Sequence, residues 1–197
     1  MAALNRAIRL SQLTVGWNSV VGVAAVVTAI ATSSLALIGF GINAVVDSSV
    51  SMLLIHRFVH ERQGRHDHAQ RWERFALRAA AIAFLLIAVY LTVQSLRALA
   101  DAAHAGHSVF GIAEALVSLL VLPMLATAKF RVARQIGSRA LRADSLLTWF
   151  GAGLAAVTCV ALLLGRFLGW WWSDPVGALL IASVLTAEGV RSLRADE

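Results

Sequence analysis

SSLALIGFGINAVVDSSVSMLL, residues Ser33–Leu54, decides the fold. It holds no charge except Asp47 and is long enough to cross a bilayer as one helix, which takes about 20 apolar residues. A carboxylate at membrane depth costs at least ~2.5 kcal/mol, so it turns to a bundle interior or a wet cavity, where it handles ions or protons. Asn43 lies one helical turn earlier. Residues four apart share a helix face, so one cation can touch both Asn43 and Asp47. The competing reading is an interhelical hydrogen bond that only fixes packing.

The rest of the chain has the same character. Of its 197 residues 59% are hydrophobic and only 14% charged, against about 25% charged in soluble domains. The mean hydropathy is +0.75. These values define an all-α integral membrane protein. Six apolar stretches follow one another, at about 13–32, 34–55, 75–97, 109–128, 146–168 and 175–192. Together they predict one six-helix transmembrane domain over residues 1–197. Neither a separate soluble domain nor a removable signal peptide is expected.

The links are predicted as a tight ATSS reversal at Ala31–Ser34, a charged segment His56–Glu73, a short Ala98–Ser108, a basic Lys129–Asp144, and the Gly169–Pro175 turn. The net charge of +6 is not a nucleic-acid footprint, because the basic residues fall in clusters between spans without interleaved aromatics. Arg6 and Arg9, the arginines of residues 57–78, the run Lys129, Arg131, Arg134, Arg139 and Arg142, and finally Arg191 and Arg194 mark one side. The positive-inside rule makes that side cytoplasmic, with both termini on it. Trp170, Trp171 and Trp172 suit an aromatic belt on the other side.

No nucleophile–base pair and no zinc–histidine constellation is legible, so an enzyme is not expected and no cofactor is called for. Cys159 is alone in an apolar run. His66 and His68 flank Asp67 in an arginine-rich segment, and His104 and His107 stand three apart; the solvated-loop reading leads for both pairs. Glu114 and Glu188 read as interfacial acids. Asp144 reads first as a cap of the fifth span and second as a ligand, with Thr148 one turn later; Asp174 before Pro175 has the same two readings. Pro123 predicts a bend in the fourth span.

Six spans, Asn43-x-x-x-Asp47 in the second and SRALRAD at Ser138–Asp144 resemble the membrane domain of the cation diffusion facilitators. TVGWN at Thr14–Asn18, ALIGFG at Ala36–Gly41 and GWWWSDP at Gly169–Pro175 are similar to the short bacterial branch related to vertebrate transmembrane protein 163. The resemblance implies exchange of zinc or a related divalent ion for protons, a multi-pass protein of the bacterial plasma membrane, and a homodimer. It places the family's second-span acidic pair on Asn43 and Asp47, and its fifth-span histidine–aspartate pair on Leu147 and Gly151, neither of which can ligate through a side chain. A glutamate that the branch implies near Val21 is missing, and the family's soluble C-terminal domain is not expected here. The leading reading is therefore a proton-coupled efflux transporter for a zinc-like divalent ion, with Asn43 and Asp47 as metal ligands and Asp144 and Thr148 as additional ones. The alternative is a non-transporting interaction protein that keeps the fold.

Overall fold

A computed structural model of the chain describes residues 2–61, 67–102 and 108–194, and all of its regular structure is helical. The order is α1 (Ala2–Thr32), α2 (Leu35–Glu61), α3 (Asp67–Ala100), α4 (Val109–Ile136), α5 (Arg139–Leu168) and α6 (Ser173–Arg194). Five of these are long and apolar enough to cross a membrane; in α3 the apolar portion is the shorter Phe84–Ala100. Several helices overhang the apolar stretches. Residues 57–61 extend α2, residues 67–73 open α3, and Arg131 and Arg134 belong to α4, so the predicted second and fourth links are largely helix.

Local chemistry sets the ends. Ser108 and Ser138 are N-caps, accepting from the amides of Gly111 at 3.0 Å and Leu141 at 3.2 Å, which supplies donors that a helix start leaves unpaired. Gly137 and Gly169 close α4 and α5 in the left-handed region, at φ of 66° and 67°. The predicted reversal between α1 and α2 is present. Ser33 turns the chain at φ 56°, and the amide of Ser34 reaches back to the carbonyl of Ala29. Pro123 lies inside an α4 that runs on to Ile136, with the Thr127 hydroxyl donating to its carbonyl at 2.8 Å.

The helices pair chiefly as α1 with α2, α4 with α5 and α3 with α6, while α2 also touches α3, α5 and α6. Small residues make the approach close. An added Cβ on Gly22 would lie 3.1 Å from the Gly41 carbonyl oxygen, and one on Gly41 would lie 3.1 Å from the Val26 nitrogen, so the α1 and α2 backbones nearly touch. Outward, α1 presents Leu13, Val20, Val23, Val27 and Ile30, each at least 60% exposed. A stripe of that size suits lipid or a protein partner and not water. Inward, the bundle buries Phe40, Leu37, Leu91 and Ile181 among alanines, and amid them a group of polar side chains.

Candidate cation site between α2, α4 and α5

Asp47 is 3% exposed and Asn43 5%. Both point from α2 toward α5 in an antiparallel register. An added Cβ on Gly151 would lie 3.4 Å from Asn43 Nδ2, Thr148 lies beside Asp47, and Ser51 donates to Asp144 Oδ1 at 2.8 Å. The two helices thus bring together Asn43, Asp47, Asp144 and Thr148, the four residues singled out from sequence. Gly151 leaves open the space beside Asn43 that a larger side chain would fill, and Leu147 is only half-buried.

Asp47 is held from the other side by α1. Asn18 Nδ2 donates to Asp47 Oδ2 at 2.6 Å, and one residue further along each helix Ser19 and Ser48 share a hydrogen bond of 3.0 Å. The second carboxylate oxygen, Oδ1, is buried and takes no hydrogen bond. A buried acceptor without a donor is unfavourable by about 1–3 kcal/mol, so this oxygen is where an incoming cation or proton gains most.

The element that sequence reasoning missed is Lys129. Assigned to a basic link, it instead lies inside α4 with 0% exposure. Its Nζ is 2.6 Å from Asp144 Oδ2, and it donates to Ser51 Oγ at 3.2 Å and to Thr148 Oγ1 at 3.1 Å. The ammonium thus makes two hydrogen bonds to hydroxyls and a close ion pair with the carboxylate. A buried lysine must be paired in this way, because an isolated charge cannot be desolvated at tolerable cost. One signal in the sequence bears on it: Lys129 is the chain's only lysine beside sixteen arginines. Lysine is a compact point charge with three rotatable donors, whereas arginine carries a rigid fork; the two are not equivalent in a small shell.

Other acids are placed by the tertiary structure. Asp144 is not a cap, since Ser138 caps α5 and Asp144 sits beyond its first turn, 1% exposed, in the ion pair. Asp174 stands in the first turn of α6, as its sequence reading has it, and also serves the start of α2: it accepts from Ser34 Oγ at 2.5 Å and from the Leu35 amide at 2.7 Å. Glu114 is half-buried in the second turn of α4. Both of its carboxylate oxygens are shielded from solvent, close to the backbone of Ala25 on α1. Glu188 is half-buried in α6. Val21 is buried in the apolar core. His66, His104 and His107 lie outside the described residues. Trp170 and Trp172 stack at 4.9 Å in the turn between α5 and α6. Two open apolar grooves between α5 and α6 contain none of the cluster's residues.

Among the described residues, no three of histidine, cysteine, aspartate and glutamate converge as a metal cage. The donor groups the cluster can offer a cation are carboxylate, amide and hydroxyl oxygens. Such a shell suits hard or borderline cations held weakly enough to leave, and lacks the imidazole and thiolate that make structural zinc sites tight.

Comparison with known proteins supplies the context for this geometry. Residues 11–196 match the cation efflux transmembrane domain. One relative is the cadmium, cobalt and zinc/H(+)-K(+) antiporter of Bacillus subtilis (strain 168), 28% identical over 167 residues, which is 80% of this chain and 52% of that protein. The chain thus spans about half the length of that relative.

Proposed function

The chain belongs to the cation efflux family, and from that premise we propose that it exports a zinc-like divalent metal ion across a membrane in exchange for protons. Membership and the antiporter relative support metal cation transport as the general activity. The observation that carries the finer reading is the buried carboxylate of Asp47, one oxygen of which takes no hydrogen bond, with Thr148 of α5 beside it and Asn43 one turn earlier on α2. A divalent ion arriving there finds a carboxylate, the Asn43 carbonyl and the Thr148 hydroxyl. Protons compete for the same carboxylate, so release of the ion and protonation of Asp47 become alternatives. Rocking of helices about a central site exposes it to each side in turn.

The reading extends to location and assembly: a multi-pass protein of the plasma membrane with both termini in the cytoplasm, working as a homodimer with metal ion, protons and lipid as its partners. A clean monomer mass in mild detergent would count against the dimer. No catalysed reaction and no resident cofactor form part of it.

A second reading, a membrane interaction protein that keeps the fold without moving ions, draws on Leu147 and Gly151 at the fifth-helix positions and on Lys129 already seated in the cluster. One experiment separates the two. Zinc, cadmium, cobalt and manganese uptake is measured in proteoliposomes with an imposed proton gradient, for the native chain and for Asp47→Ala. Transport abolished by the substitution supports the first reading. Transport that survives it sinks the site assignment, and absence of transport for every ion favours the second.

A further inference from the structure

Lys129 has no part in the mechanism just described, yet it occupies the best-built cation shell in the molecule. The three oxygens around its Nζ come from α2 (Ser51) and α5 (Asp144 and Thr148), the two helices that also carry Asn43 and Asp47. All of these groups are buried, with 5% exposure or less. The shell and the free oxygen of Asp47 are electrostatic neighbours: Lys129 and Asp144 are the charged groups that act on Asp47. With both carboxylates ionised and the ammonium charged, the cluster carries one net negative charge.

A divalent ion added to that cluster would leave a net positive charge buried in a low-dielectric interior, with an ammonium a few ångströms from a metal. Two like charges a few ångströms apart repel by more than a tenfold change in affinity even at an effective dielectric of 20. A single positive charge, by contrast, is balanced. If the ammonium leaves, both carboxylates face the cargo, and a divalent ion is balanced in full.

We infer that Lys129 is the resident cation of this site, a tethered competitor that a divalent cargo ion must displace from Asp144, Ser51 and Thr148 before Asp47 and Asp144 can bind it together. The inference rests on the metal-site reading above and adds to it a residue from α4. Lys129 is a positioning residue in this scheme. Its side chain holds the shell closed against solvent ions when cargo is absent, and its withdrawal opens the second carboxylate.

The test is metal binding by the chain purified in detergent, with zinc, cobalt and cadmium titrated calorimetrically into the native protein, Asp47→Ala, Lys129→Gln, and Lys129→Gln combined with Asp47→Ala. Lys129→Gln keeps a polar side chain of similar length and removes the competing charge. It is expected to bind about tenfold more tightly or better, because a repulsion of that size exceeds one decade, and the added Asp47→Ala should cancel the gain. Where Lys129→Gln does not fold without metal, the same gain is read as recovery of monodisperse protein when zinc is supplied during purification. Equal or weaker binding by Lys129→Gln, with native binding still lost on Asp47→Ala, overturns the inference and leaves the metal site standing. Failure of zinc to recover an unfolded Lys129→Gln also overturns it. Absence of binding by both the native chain and Lys129→Gln removes the inference and the metal-site reading together.

Discussion

Neutralising the buried ion pair from one side or from both should have opposite consequences for stability, and the sizes follow from the contacts. In Lys129→Met, Asp144 loses a partner at 2.6 Å and keeps only the Ser51 hydroxyl at 2.8 Å. The remaining carboxylate is 1% exposed. Breaking a buried pair from one side typically destabilises by about 3–5 kcal/mol, because the surviving charge is uncompensated. For a chain of this size each kcal/mol lowers the melting temperature by about 2–4 °C, so the single variant should melt about 6–20 °C lower. Asp144→Asn strands the ammonium and should behave alike. The double variant Lys129→Met/Asp144→Asn leaves no buried charge in that shell, and replacing a buried pair by neutral residues of similar volume is often neutral or stabilising. It should therefore melt close to the native protein, within about 1–2 kcal/mol. Thermal unfolding in detergent, followed by tryptophan fluorescence or by loss of the monodisperse chromatographic peak, measures all four corners of the cycle. If the two single losses simply add in the double variant, to within about 0.5 kcal/mol, the charges are not coupled and the ion pair described here is wrong.

Two further outcomes are expected. Asn18→Ala removes the 2.6 Å donor to Asp47 and leaves both of that carboxylate's oxygens without a hydrogen bond; the loss of about 1.5–3 kcal/mol for a hydrogen bond to a charged group should appear in the melting temperature. An unchanged melting temperature and transport rate would show that α1 does not orient Asp47. Asp174→Ala removes two bonds at the start of α2 and should destabilise by about 2–4 kcal/mol, with Asp174→Asn recovering part of this through its amide oxygen. Equal melting curves for Asp174→Ala and the native chain would refute the capping role.

The helices were legible because a bilayer demands long apolar runs, and Asp47 stood out because a charge inside such a run is expensive. Helix ends were less legible for the same reason. Apolar runs mark what lipid covers, whereas α5 begins at a serine cap two turns earlier, in a charged segment whose solvent-side arginines say nothing of where the helix starts. That shift of two turns turned Asp144 from a capping residue into a core residue. Lys129 was hidden by company: in a cluster with Arg131 and Arg134 it reads as topology, and only the tertiary register of α4 against α2 and α5 sets it apart. Asn18 lies in a block that carried the family resemblance, yet its partner is 29 residues away, and pairing across helices is not written in local spacing. The position of Asp174 shows the same limit at greater range, since its hydrogen bonds reach a helix 139 and 140 residues earlier in the chain.

That long-range cap has a mechanical meaning. Two short bonds fasten the first residues of α2 to the first turn of α6. A 27-residue helix is about 40 Å long at 1.5 Å per residue, and a rod pinned at one end moves least there and most at its tip. A tilt of about 10° around the pin carries the far end roughly 7 Å, and carries Asp47, near the middle, about half as far. The carboxylate of Asp174 is thus a fulcrum, and the bonds that Ser51 of α2 makes with Lys129 and Asp144 sit where the lever arm is long enough for a modest tilt to stretch them.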